Sequence, residues 1–163
     1  MTLAAIVSSA VESWAAFYGD HQMVSVTVRY LHLAGLVTGA GTALATDRRI
    51  LGVARSEPSE RAALLPALHA SHRVVMPALA LVMLTGALMT ASDTGTFFAS
   101  RLYWSKMGLV ALLLLNGLGL LAAERAAARE RANGWRWLVR VSAVSLVLWL
   151  VILFAGVWLT VAA

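Results

Sequence analysis

Residues 141–163 read VSAVSLVLWLVILFAGVWLTVAA and contain no charged side chain. About 20 consecutive apolar residues are enough for an α-helix to cross the hydrocarbon core of a bilayer. The same criterion predicts three more membrane helices, at residues 23–46, 70–91 and 102–123. We therefore expect an all-α fold, an integral membrane four-helix bundle that forms a single domain over residues 1–163.

The composition favours the membrane class over a soluble one. Of the 163 residues, 60% are hydrophobic and 13% are charged, whereas soluble domains carry roughly 45–50% and about 25%. The chain has no cysteine, which excludes disulfides, thiolate metal sites, iron–sulfur clusters and c-type haem attachment. These numbers argue against a soluble hydrolase.

The basic residues cluster next to two of the predicted spans. Residues 1–22 and 92–100 contain no Lys or Arg, whereas the segments 47–61 and 124–140 contain four and five arginines (Arg48, Arg49, Arg55, Arg61; Arg125, Arg129, Arg131, Arg136, Arg140). Cytoplasmic loops of membrane proteins are enriched in such residues. We therefore expect both arginine-rich loops to be cytoplasmic and both termini to be external. The net charge of +5 then needs no nucleic-acid partner.

The N-terminal residues 2–19 form a separate apolar pattern. Leu3, Ile6, Val7 and Val11 recur at helical spacing before Gly19-Asp20 interrupts the pattern. Such a segment is typical of a short amphipathic helix that lies in the membrane interface. A fifth helix packed on the bundle fits the same pattern.

Ionisable groups inside apolar spans are costly, and they usually face a cavity, a ligand or the bundle interior. At about 1.5 Å per residue, Lys106, Arg29 and His32 lie roughly 6, 9 and 13 Å from the outer ends of their spans. A neutral imidazole can ligate haem iron. We therefore predict a haem b site with His32 as the metal ligand and with Arg29 and Lys106 as partners of the haem propionates. If Arg29 and Lys106 instead bind a substrate anion, we expect them to be catalytic residues.

Three other residues complete the predicted haem site. Gly35 and Gly39 follow His32 on the same helix face, where a flat ring or another helix can approach closely. Met83 lies at a depth of about 12 Å and is a candidate sixth ligand. In the alternative interpretation, His32 forms a hydrogen bond across helices, the glycines pack helices, and the cations extend to the interface.

A second pair of histidines lies near the inner end of the second span. His69 and His72 are spaced i, i+3 and precede Arg73, so they are candidate metal ligands. The alternative is that they only mark the interfacial start of the span. In the third span, Asn116 is predicted to form a hydrogen bond between helices.

Three motifs carry a family resemblance: VRYLHLAGLVTGAGTALATDRRI (28–50), HRVVMPALALVMLTGALMTA (72–91) and RLYWSKMGLVALLLLNGLG (101–119). Together they resemble the small membrane proteins of the HemJ-type protoporphyrinogen oxidases and of the copper-resistance CopD domain. The resemblance covers about residues 25–120. It implies a helical bundle that binds b-type haem through His32, with Lys106 as a functionally important lysine.

The functional expectation is a bacterial inner-membrane haem protein with a redox role. It would transfer electrons or oxidise a quinol or a porphyrinogen-like molecule in the lipid bilayer. It could act as a monomer, as a homo-oligomer or together with a membrane partner protein. Two alternatives stay open at this point. One is a membrane protein for copper or metal handling, and the other is an accessory subunit without a cofactor.

Overall fold

The computed structural model describes residues 2–131 and 133–162. In this part of the chain the regular structure is entirely helical, which confirms the prediction of an all-α fold. The six helices are α1 (Leu3–Asp20), α2 (Gln22–Gly52), α3 (Pro58–Ser92), α4 (Thr94–Ala99), α5 (Arg101–Ala128) and α6 (Gly134–Ala162).

Four of these helices, α2, α3, α5 and α6, are long and apolar enough to cross a membrane. Helices α2, α3 and α5 each contain one predicted span and extend beyond it at both ends. Helix α6 begins before the fourth span, at Gly134, and the last residue of that span, 163, lies outside the described residues. Helix α2, for example, continues to Gly52 rather than ending at residue 46. An apolar run measures only the length that hydrocarbon would cover, whereas arginine and alanine allow a helix to continue past it.

Local signals explain where several helices begin. Ser100 caps α5 by accepting a hydrogen bond from the Tyr103 backbone amide at 3.3 Å, and Pro58 occupies the first turn of α3, where a missing amide hydrogen costs nothing. Asp93 caps the short helix α4, which the sequence pattern did not predict. Hydrogen bonds from the side chain and backbone of Thr96 lower the pKa of the Asp93 carboxyl group.

The long helices form an arc in the order α3, α2, α6, α5. Helix α2 packs mainly against α3, and α5 packs mainly against α6, while α2 and α6 join the two pairs. Helices α3 and α5, at the two ends of the arc, touch very little. We call the end of the bundle with the α2–α3 and α5–α6 connections the inner end, and the opposite end the outer end.

Two glycines allow α2 and α3 to approach closely. A Cβ atom added at Gly35 would lie 2.9 Å from Cγ2 of Val82, and one added at Gly39 would lie 3.1 Å from Cβ of Ala78. Both glycines are buried. Of the two uses predicted for this face, the structure shows the approach of another helix.

The other contacts are apolar, with a few hydrogen bonds between elements. Trp149 is 4% exposed in the centre of the core, and the Asn116 side chain donates a hydrogen bond to the Val141 carbonyl at 3.1 Å. That bond joins α5 to α6, as predicted. Helix α1 packs on α3 and α2, with the Trp14 indole donating to the Leu88 carbonyl at 2.8 Å. This is the packed arrangement of the two that the sequence allowed for α1.

Candidate functional site

The imidazole of His32 is held by a chain of two hydrogen bonds. Its Nδ1 atom lies 3.0 Å from Oγ1 of Thr85 on α3, and this hydroxyl lies 2.6 Å from the Leu81 carbonyl oxygen. A hydroxyl group has one hydrogen, which Thr85 donates to a backbone carbonyl of its own helix. Thr85 therefore accepts from Nδ1–H of His32. In the neutral imidazole, this arrangement leaves Nε2 of His32 unprotonated, with a lone pair.

The backbone of α3 sets the position of the same ring. A Cβ atom added at Gly86 would lie 3.3 Å from Cε1 of His32, so the absence of a side chain there makes room for the imidazole. Thr85 is 2% exposed, which makes its hydroxyl a fixed acceptor. His32 is half-buried, so part of its side chain is accessible from outside the bundle.

Lys106 lies on α5 near the same end of the bundle. Its Nζ atom lies 3.7 Å from the position of a Cβ atom at Gly156 on α6. Within residues 2–131 and 133–162, the acid–base contacts shorter than 4.0 Å are those of Glu124 with two histidines. The Lys106 amine therefore has no carboxylate partner among the described side chains. The outer site thus consists of the His32 imidazole, fixed by Thr85, and a lysine near the same end of the bundle that has no carboxylate partner among the described residues.

Two other predicted residues lie at the edge of this site. Arg29 is exposed on α2, one turn before His32. Met83 is 45% exposed and follows Val82, so it lies about 100° around α3 from the side that contacts α2. The structure thus places Thr85 and Gly86 against His32, two residues that the sequence pattern did not single out. Lys106 lies near the same end of the bundle, on α5.

The inner end contains a second polar cluster, centred on Glu124. The carboxylate of this α5 residue accepts from Nδ1 of His69 at 2.6 Å and from Nε2 of His72 at 2.7 Å. Glu124 is 4% exposed, and the side chains of His69 and His72 are 80% and 21% exposed. This cluster joins α3 to α5, which otherwise touch very little.

The position of Glu124 corrects one expectation. The segment 124–140 was predicted to be a loop, but Glu124 lies inside α5, which continues to Ala128. The alanine-rich sequence AAERAAA (122–128) was the available signal, because alanine is the strongest helix former. The glutamate is buried because two imidazoles satisfy both of its oxygens.

The structure lends no support to metal binding by His69 and His72. Among the described residues, no group of three or more His, Cys, Asp or Glu side chains has the geometry to hold a metal ion. Each histidine points a nitrogen directly at a carboxylate oxygen. The predicted metal role of this pair stays a prediction.

A buried acid also lies where α2 meets α6. Asp47 is 1% exposed and faces the hydroxyls of Ser142 and Ser145. Its Oδ2 atom and Oγ of Ser142 are buried without a hydrogen bond of good geometry. Asp47 was assigned to the loop 47–61, and this too is wrong, because α2 continues to Gly52.

The fold and the site define a helical protein with four helices of membrane-spanning length and a histidine–lysine site near its outer end. No protein-family model matches the chain, and no curated protein or solved structure matches it. The resemblance to the HemJ-type and CopD-type groups therefore rests on the three motifs alone.

Proposed function

We propose that this protein is a membrane-embedded b-type haem protein with a redox role, and that Nε2 of His32 is the axial ligand. The hydrogen-bond chain from Nδ1 of His32 through Thr85 to the Leu81 carbonyl carries this proposal. Histidines that ligate metals almost always donate their second ring N–H to a protein acceptor, which selects the tautomer and orients the ring. Thr85 supplies that acceptor here.

The other residues of the outer site suit an anionic ring. Lys106 lies on a different helix near the same end of the bundle and has no carboxylate partner among the described side chains, so its charge is available for a propionate. Arg29 adds a second cation one turn closer to the outer end. The same two cations would attract an anionic substrate such as a porphyrinogen-like molecule, and a quinol is the neutral alternative.

Bound haem would supply one-electron chemistry to this site. The chain itself would ligate the iron, orient the ligand through Thr85, and neutralise the acidic substituents of the ring. His32 and Lys106 are both half-buried, so a lipid-soluble molecule has access to them from the flank of the bundle.

We propose further that α2, α3, α5 and α6 insert into a bacterial inner membrane with both termini outside. Large apolar side chains are exposed along the sides of these helices, which supports contact with lipid. Val37, Leu118 and Phe154, for example, are 75%, 65% and 66% exposed. The arginines of the inner end support its cytoplasmic placement.

Absorption spectra of the detergent-purified protein test the haem proposal. We expect a Soret band and, after reduction with dithionite, sharp α and β bands. His32→Ala should remove these bands, whereas His72→Ala, at the inner end, should keep them. Bands that survive in His32→Ala would show that His32 is not the ligand. Bands that vanish in a folded His72→Ala variant would contradict a haem site confined to the outer end.

A further inference from the structure

A cavity of about 300 Å³ opens between α3 and α5 at the inner end. Its lining residues are spaced i, i+3, i+4 on each helix, so that each helix contributes one face. They are His69, His72 and Arg73 on α3, and Leu121, Glu124 and Arg125 on α5.

The charges around this cavity are unbalanced. Among the described residues that line it, Glu124 is the only acidic one, and each of its carboxylate oxygens is already bonded to an imidazole. Neither Arg73 nor Arg125 has a carboxylate within 4.0 Å among residues 2–131 and 133–162. Two guanidinium groups on facing helices thus line one cavity without an acidic partner.

We propose that this cavity binds a phosphate-type anion between Arg73 and Arg125. A guanidinium group presents a planar fork of donors that matches two phosphate oxygens, and two such groups on facing helices can act on one anion. The anion is either the headgroup of an anionic phospholipid or free phosphate. Basic pockets between membrane helices are suited to the first source, and Leu121 provides an apolar wall beside it. This site lies at the opposite end of the bundle from His32 and does not depend on the haem proposal.

Thermal unfolding in detergent tests the site with three probes at equal ionic strength. These are dioctanoyl phosphatidylglycerol, inorganic phosphate and, as the zwitterionic control, dioctanoyl phosphatidylcholine. We expect the anionic lipid to raise the unfolding temperature of the wild type, and phosphatidylcholine to leave it unchanged. A comparable rise with millimolar phosphate would identify free phosphate as the ligand.

Variants of the two arginines locate the effect. Arg73→Gln and Arg125→Gln should each weaken binding about tenfold or more, as expected for the loss of one charge-assisted contact. Arg129→Gln is the matched control, because Arg129 is exposed like Arg73 and Arg125 but lies outside the cavity lining. Arg73→Lys and Arg125→Lys keep the charge but lose the planar fork, so intermediate affinities are expected even where a glutamine variant folds poorly.

Two results would overturn the proposal. The first is a wild-type protein that responds to neither the anionic lipid nor phosphate. The second is a folded Arg73→Gln/Arg125→Gln double variant that responds as strongly as the wild type, since the anion would then bind elsewhere on the basic surface.

Discussion

The Thr85 hydroxyl is the residue-level feature on which the outer site depends. It is buried, it donates to the backbone of α3, and it accepts from His32. Position 85 looks like any small polar residue in an apolar helix, so the sequence offered no reason to select it. His32 and Lys106 stand out in the sequence because they are ionisable groups in the outer halves of two apolar spans, and their functional roles stay predictions.

Replacing Thr85 tests the orientation of the His32 ring. Thr85→Val keeps the shape of the side chain but removes the acceptor for Nδ1–H. We expect the affinity for haem to fall about 10- to 100-fold, the usual cost of losing the outer partner of a ligating histidine. Thr85→Ser should retain most of the affinity. Haem titration of the apoprotein measures both, and equal affinities in the valine variant and the wild type would contradict the role of this hydroxyl.

The two histidines bonded to Glu124 should contribute unequally to stability. His72→Ala should lower the free energy of unfolding by about 1–3 kcal/mol, because it removes a hydrogen bond from a buried carboxylate. His69→Ala should cost less, about 0–1 kcal/mol, because the His69 side chain is 80% exposed and exposed pairs contribute little. Unfolding in detergent with an added denaturant measures both. A larger loss in His69→Ala would contradict this assignment of burial.

At the scale of elements, the helices are longer than their apolar segments. The spans could be predicted, because an uncharged apolar run of about 20 residues is characteristic of a membrane helix. The ends of the helices could not, because an apolar run shows only where hydrocarbon would cover the helix; the predicted spans 23–46 and 102–123, for example, stop directly before Asp47 and Glu124. For this reason the sequence pattern assigned Asp47 and Glu124 to loops. Both residues directly follow an apolar run, and both are buried inside a helix. Only contacts with a neighbouring helix decide whether such a residue is the end of a span or a group within the bundle.

The close contact between α2 and α3 predicts opposite effects for two nearby glycines. Gly35→Ala should lower the free energy of unfolding by roughly 1–3 kcal/mol through overpacking, because the new Cβ atom would lie 2.9 Å from Cγ2 of Val82 and 3.3 Å from the Ala78 carbonyl oxygen. Gly41→Ala is the control on the same helix. It meets nothing within 4 Å, so we expect no loss and a gain of up to about 1 kcal/mol from helix propensity. Equal losses in the two variants would argue against this packing.

At the scale of the whole molecule, α5 contributes polar groups at both ends of the arc α3–α2–α6–α5. Lys106 lies near the outer end, against Gly156 of α6, and Glu124 bonds to His69 and His72 across the weak contact between α3 and α5 at the inner end. This order could not be predicted, because apolar sequences of similar composition do not specify which helices become neighbours. The distribution of arginines predicts the orientation of the chain in the membrane, but it does not predict which helices pack against each other.

The proposed orientation has a direct test, because the chain contains no cysteine of its own. Single cysteines are introduced at the exposed positions Gly95, Arg55 and Arg131. In intact spheroplasts, a membrane-impermeant maleimide should label Gly95→Cys and should label the other two only after lysis. Labelling of Arg55→Cys before lysis would contradict the proposed orientation, because it would place the α2–α3 connection outside the cell.

The haem content of the purified protein tests the central proposal most directly. The wild type, expressed with abundant haem and purified in detergent, should contain close to one b-type haem per chain when haem and protein are quantified on the same sample. His32→Ala should contain close to none at equal helix content. A wild-type protein without haem under these conditions would contradict the proposed role of the outer site.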